Sequence, residues 1–153
     1  MKKDTRNHIK YMQQTLEIAK NSPDPSTKVG ALLVSPDETE IFTGFNRFPP
    51  GIPDKAQWWN NRDSASGEFS KYDLVCCAEL MAILNSTSAL KDFTLYTSHF
   101  PCLSCARTIA AVEISHVYYH FSKEHIAKNI DEVKVRTLFK LASIELIHLS
   151  NIE

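Results

Sequence analysis

Val117-Tyr118-Tyr119-His120-Phe121 and Ile144-Glu145-Leu146-Ile147-His148-Leu149 decide the fold. Both are rich in β-branched and aromatic residues and read as short strands. About twenty residues separate them, and Val133, Leu138 and Leu141 place a helix in that interval. A hairpin needs only two to five connecting residues. A helical crossover instead makes the two strands parallel. Outward from this pair, Val29 to Val34, Ile41 to Phe45 and Phe93 to Thr97 read as three further strands. Helices are expected at about His8 to Lys20, from Ala78 to about Ser86, and from Pro101 through about Val112. The predicted architecture is an α/β fold, a three-layer α/β/α sandwich around a mixed five-stranded sheet with its last two strands parallel.

At 153 residues the chain is expected to form one domain over 1–153. Hydrophobic residues make up 43% of it, enough to bury a core. A net charge of -1 shows no basic excess, which argues against a nucleic-acid partner. No apolar run approaches a membrane span. Met1-Lys2-Lys3-Asp4-Thr5-Arg6 has no apolar segment behind it and does not read as a signal peptide. The expected location is cytoplasmic, so the four cysteines are not read as disulfides. Asn46 to Asp73 shows little periodicity, and a loop of that length in a compact domain is usually functional. Its Trp58 and Trp59 read as packing for the loop.

The chemistry lies in Cys77-Ala78-Glu79 and Pro101-Cys102-Leu103-Ser104-Cys105. Cysteines three apart at a helix start share a face and can grip one ion. A second helix opening at Cys77 brings a third thiolate, and the positive ends of both helices favour that ionised form. Three protein ligands, Cys77, Cys102 and Cys105, leave the fourth tetrahedral position open, which marks a catalytic zinc (Zn2+) site. Glu79, two residues from a ligand, is placed to take a proton from water there and pass it on. Cys76 reads as core, because adjacent side chains diverge. His8, His116, His120, His125 and His148 show no ligand spacing, and His99 alone lies near the site in sequence.

These residues match the zinc deaminase signature, in which a cysteine can replace the first histidine. With Asp24-Pro25-Ser26-Thr27-Lys28-Val29-Gly30-Ala31, Gly44-Phe45-Asn46, Lys71-Tyr72 and Phe100-Pro101-Cys102, the chain resembles the cytidine/deoxycytidylate deaminase superfamily, deoxycytidylate deaminases above all. The resemblance runs from about Thr15 to Leu149. It implies a cytidine deaminase-like fold and hydrolytic deamination of a pyrimidine nucleotide, dCMP to dUMP with release of ammonia. It also implies a small-molecule nucleotide partner and a homo-oligomer, a hexamer among the possibilities. It assigns Asn46 to the sugar, the Ala78 backbone to the base edge and Phe100 to the base flank. Arg47 and Arg62 are the loop cations available for the phosphate.

The alternatives are a nucleic-acid deaminase of the tRNA adenosine type, or a catalytically weak relative that binds zinc and nucleotide. The chain departs from the deoxycytidylate pattern at Cys77, where histidine is usual, and at Met81, where asparagine is usual. Arg47 stands where that branch often has glycine, in a segment that serves dCTP regulation in the family. Leu80 stands where free-nucleoside deaminases with a cysteine ligand carry arginine. Three thiolates acidify a zinc-bound water less than two thiolates and an imidazole, and Arg107 and His99 are candidates to offset that charge.

Overall fold

In the computed structural model, residues 5–122 and 130–153 are described; His125 and the start of the chain lie outside them. The elements are α1 (Thr5–Ala19), β1 (Gly30–Val34), β2 (Ile41–Phe45), α2 (Ala56–Asn60), α3 (Lys71–Leu74), α4 (Ala78–Leu84), β3 (Thr94–His99), α5 (Leu103–Ala111), β4 (His116–Phe121), α6 (Ile130–Leu141) and β5 (Glu145–His148). The sheet order is β2-β1-β3-β4-β5. β1 runs antiparallel to both β2 and β3. β3–β4 and β4–β5 are parallel, with Leu95 opposite Val117 and Val117 opposite Leu146. The mixed sheet and its parallel last pair are as the crossover implied.

Strand alternation sorts the core into two layers. Ala31, Leu33, Leu95 and Val117 face α4, α5 and α6, where they meet Ala78, Ala82, Ala106, Ile109, Val135 and Phe139. Leu32, Val34 and Tyr96 face the other way and enclose Met12 of α1. Helices therefore cover both faces of the sheet, as a three-layer sandwich requires. His8 enters the second layer between two tyrosines, Nδ1 at 2.7 Å from Tyr96 Oη and Nε2 at 3.2 Å from Tyr118 Oη.

Two glycines set how closely helices approach this sheet. A Cβ on Gly30 would lie 2.3 Å from the Thr15 carbonyl oxygen of α1. A Cβ on Gly44 would lie 2.3 Å from the Ala82 nitrogen and 2.6 Å from the Ala78 oxygen, both on α4. α4 thus rests directly on β2 only because position 44 has no side chain.

One local expectation is corrected and others hold. The long stretch after Asn46 is not wholly irregular, since it contains α2 and α3. α3 opens with a capping box in which the Ser70 hydroxyl accepts from the Asp73 N–H and the Asp73 carboxylate accepts from the Ser70 N–H. Trp59 stacks on Phe48 at 3.9 Å and donates from Nε1 to Asp54. Trp58 meets Phe69 edge-on at 5.5 Å. Both tryptophans therefore hold the loop together. α6 contains Val133, Leu138 and Leu141 as expected; Val133 and Leu141 are exposed on it, and Val135 and Phe139 face the core.

Candidate metal centre

Two helix starts build the site. Cys77 is the N-cap of α4, in extended conformation, and its carbonyl accepts from the Met81 N–H at 3.0 Å. Cys102 is the N-cap of α5, so Pro101 precedes the helix rather than occupying its first position. The cause is local: Cys102 Sγ accepts the Cys105 backbone N–H at 3.4 Å, the bond that a serine or aspartate cap would make. One turn on, Cys105 turns its side chain back to the same point.

The Sγ atoms of Cys77, Cys102 and Cys105 all lie within 4.8 Å of one another, and Cys77 and Cys102 are 3.9 Å apart. Tetrahedral zinc with Zn–S near 2.3 Å sets sulfurs about 3.8 Å apart, so the spacing suits that ion. Three soft sulfur donors, with no fourth protein ligand beside them among the described residues, match a zinc site with one open position. Cys105 is buried, Cys77 half-buried and Cys102 exposed, so the cluster reaches the surface on the Cys102 side. Cys76 lies off the cluster, its backbone bridged to Arg47 in both directions at 2.7 and 3.1 Å.

The thiols do not share protons evenly. Hydrogen bonds from Cys105 and then Cys77 pull the Cys102 thiol far below the usual range. Its bond to Cys102 is the main cause that pushes Cys77 up to about 12, and the same partner raises Cys105 further.

Glu79 lies in the first turn of α4, only 4% exposed. Burial pushes its carboxyl up to about 7, against a hydrogen bond from Thr97 that pulls it down. That bond runs from Thr97 Oγ1 to Glu79 Oε1 at 2.6 Å. A carboxyl balanced near neutrality can both take and return a proton at pH 7.

The other expected site residues lie around this centre with differing freedom. Ala78 is the first residue of α4, so its N–H has no partner inside the helix. Phe100 is half-buried, edge-on to Tyr119 at 5.0 Å, with the Arg136 guanidinium 5.1 Å from its ring centroid. Asn46 is buried and engaged. Its Oδ1 accepts from the Val29 N–H at 2.8 Å, and its Nδ2 donates to Thr27 O at 2.9 Å and Asp24 Oδ2 at 3.2 Å. The Oδ1 atom has a second lone pair beside the one that Val29 occupies.

Arg62, exposed, donates to Ser26 Oγ and Tyr72 Oη, each at 3.0 Å. Arg47 turns back on its own chain, donating from Nε to Phe48 O at 3.0 Å. Of the two candidates to offset the sulfur charge, Arg107 is exposed on α5, and His99 Nδ1 lies 2.8 Å from Ser98 Oγ.

Two arrangements were not read from the sequence. Lys71 Nζ lies 2.7 Å from Asp24 Oδ2, a buried ion pair that ties α3 to the turn holding Asn46. Thr97 is the other. It shares strand parity with Leu95, so a polar side chain in an apolar layer was the available signal.

The chain matches the family described as "Cytidine and deoxycytidylate deaminase zinc-binding region" over residues 5–121. Mouse deoxycytidylate deaminase is 36% identical over 135 residues, covering 88% of this chain and 74% of its own. A probable deoxycytidylate deaminase of Caenorhabditis elegans is 34% identical over 129 residues, covering 81% and 64%. Among solved structures, dCMP deaminase of the cyanophage S-TIM5 in complex with dCMP and dUMP superposes with a TM-score of 0.74 at 21% identity, over 97% of this chain and 100% of that one. Among the described residues no helix is long and apolar enough to cross a membrane. With the three sulfurs gathered for one ion and the match spanning both helix starts that carry them, the chain belongs to the cytidine and deoxycytidylate deaminase family and is a zinc-dependent hydrolytic deaminase.

Proposed function

We propose that the protein converts dCMP and water to dUMP and ammonia, as a single domain over 1–153, working in the cytoplasm as a homo-oligomer. The observation that carries the chemistry is the buried Glu79 carboxyl two residues along α4 from a converging sulfur. Zinc, when bound, supplies a water acidified toward a pKa of about 7. Glu79 would take a proton from the attacking water and deliver it to N3 as the C4–O bond forms, and would then carry the remaining hydroxyl proton to the C4 amine, which leaves as ammonia as the C4 carbonyl is formed. The Ala78 N–H, which has no partner inside α4, reads the base edge, and Phe100 walls one side of the base. Asn46 meets the sugar through its remaining Oδ1 lone pair.

For the phosphate, Arg62 is the better placed of the two loop cations. It reaches Ser26, on the same turn whose Asp24 and Thr27 hold Asn46. Arg47 commits its Nε–H to Phe48 O, next to it in the chain. The choice of dCMP rests on the likeness to the mouse enzyme. Ammonia release from dCMP, dCTP, deoxycytidine and cytidine by zinc-loaded protein tests it, with dCMP expected to give the highest kcat/KM. Comparable efficiency on deoxycytidine would remove the phosphate from the reading. Glu79→Ala should keep zinc and fold and lose nearly all turnover.

A further inference from the structure

We infer that Thr97 is a positioning residue for Glu79: its hydroxyl pins Oε1, so that the working proton is carried on Oε2. The inference rests on the reading of Glu79 as proton shuttle. A glutamate carboxyl turns about a broad, roughly two-fold terminal torsion, so its plane is undefined unless something holds one oxygen. Thr97 Oγ1 does so from 2.6 Å.

Thr97 is itself fixed. It is fully buried in β3, opposite Ala31 on one side and Tyr119 on the other. Its branched Cβ leaves little freedom at χ1. The same Oγ1 lies 3.0 Å from the His99 carbonyl oxygen, two residues on. A hydroxyl has one hydrogen, and these are two acceptors. The shorter contact, to an oxygen that carries charge when Glu79 is ionised, takes the hydrogen. With that hydrogen committed to Glu79, the His99 oxygen is a near neighbour of Oγ1 and not a tether, so the strand backbone and the stiff χ1 hold Thr97 in place.

β3 therefore sets two parts of the site at once. Its end leads through Phe100 and Pro101 to Cys102, and its interior holds the carboxyl that serves the same centre. A proton carrier anchored on a central strand stays in register with the ligands, whatever the long loop does.

The test compares Thr97→Val, Thr97→Ser and Glu79→Gln as zinc-loaded proteins, with kcat, KM, zinc content and thermal unfolding measured for each. Valine keeps the threonine shape and removes the hydroxyl. Thr97→Val should lower kcat by about 10- to 100-fold, with KM within about threefold and zinc per chain unchanged. Thr97→Ser, which restores the hydroxyl, should recover most of that loss. Wild-type kcat in Thr97→Val overturns the inference. So does a loss that serine does not restore, or one in which KM, zinc and kcat fail together, since each assigns Thr97 to packing alone. If Glu79→Gln is itself active, it is the shuttle reading that has failed, whatever Thr97→Val does.

Discussion

Replacing Gly44 by alanine tests whether the contact between β2 and α4 sets the position of the catalytic groups. The new methyl would sit 2.3 Å from Ala82 N, 2.6 Å from Ala78 O and 2.8 Å from the Met81 carbonyl carbon. All three are backbone atoms, so no change of rotamer relieves the clash. Ordinary contact begins at 3.4 Å, so α4 must withdraw by about 1 Å. Overpacking of this kind costs about 1–3 kcal/mol, and the upper end applies because only backbone can yield. For a chain of this size that lowers Tm by about 5–10 °C.

α4 carries Ala78 and Glu79 and is capped by Cys77, so the withdrawal also displaces the carboxyl. A misplacement of about 1 Å costs on the order of 100-fold in rate. Two controls separate stability from geometry. Gly30→Ala presses on α1 instead, at 2.3 Å from Thr15 O, and should lose similar stability while folded enzyme keeps kcat within about threefold. Gly67 has nothing within 4 Å of an added Cβ, and Gly67→Ala should change neither quantity. Calorimetry, zinc content and kcat per folded molecule read the outcome. If Gly44→Ala keeps wild-type kcat, or if Gly30→Ala loses as much, the argument that this contact positions the site is wrong.

Three further outcomes follow from the same geometry. Zinc binding to the metal-free protein should release about two protons near neutral pH, because Cys77 and Cys105 enter as thiols and Cys102 as thiolate. Affinity should therefore rise about 100-fold per pH unit there, and titration calorimetry in buffers of different ionisation enthalpy that finds no proton release would refute the assignment. Breaking the buried pair with Lys71→Met should cost about 3 kcal/mol by denaturant unfolding, and a loss indistinguishable from zero would show that the pair does not hold α3. Cys77→Ser should lose most of the bound zinc while Cys76→Ser keeps about one ion per chain, and the reverse pattern in metal analysis would sink the ligand set.

The sheet was legible because its evidence is local. Short apolar runs bounded by turn residues marked the strands, and a connection too long for a hairpin made the last pair parallel. The pairing of Cys102 with Cys105 was legible for the same reason, since a spacing of three at a helix start is a geometric statement. The exposed face of α6 was not. Ile130, Val133, Val135, Leu138, Phe139 and Leu141 place apolar residues around the whole helix, and periodicity cannot choose among them. Packing chose Val135 and Phe139. Pro101 misled by two positions because the Cys102 sulfur, not the proline, begins the helix. Lys71 and Asp24 stand far apart in sequence, and no local pattern announces a buried pair of that kind.

Acid should expose what that pair contributes. Burial raises the Asp24 carboxyl, but the Lys71 ammonium and the N–H groups of Ser26 and Thr27 outweigh it, and the net shift is downward. A carboxylate with a lowered folded pKa stabilises the protein fully above its unfolded value of about 4. That contribution is lost as pH falls through the lowered folded value. The wild-type protein should therefore lose stability on acidification below about pH 4 more steeply than Asp24→Asn, which has no proton to take up at that position. At pH 7 the order reverses: Asp24→Asn starts less stable, because it leaves the Lys71 ammonium without its partner. Denaturant unfolding of both proteins from pH 7 to pH 3 should show the two curves converging in acid. Parallel curves would mean that Asp24 ionises alike in the folded and unfolded chains. The turn that holds Asn46 and meets Arg62 would then owe its shape to its other hydrogen bonds, and neither half of the proposed substrate site would depend on the ion pair beneath it.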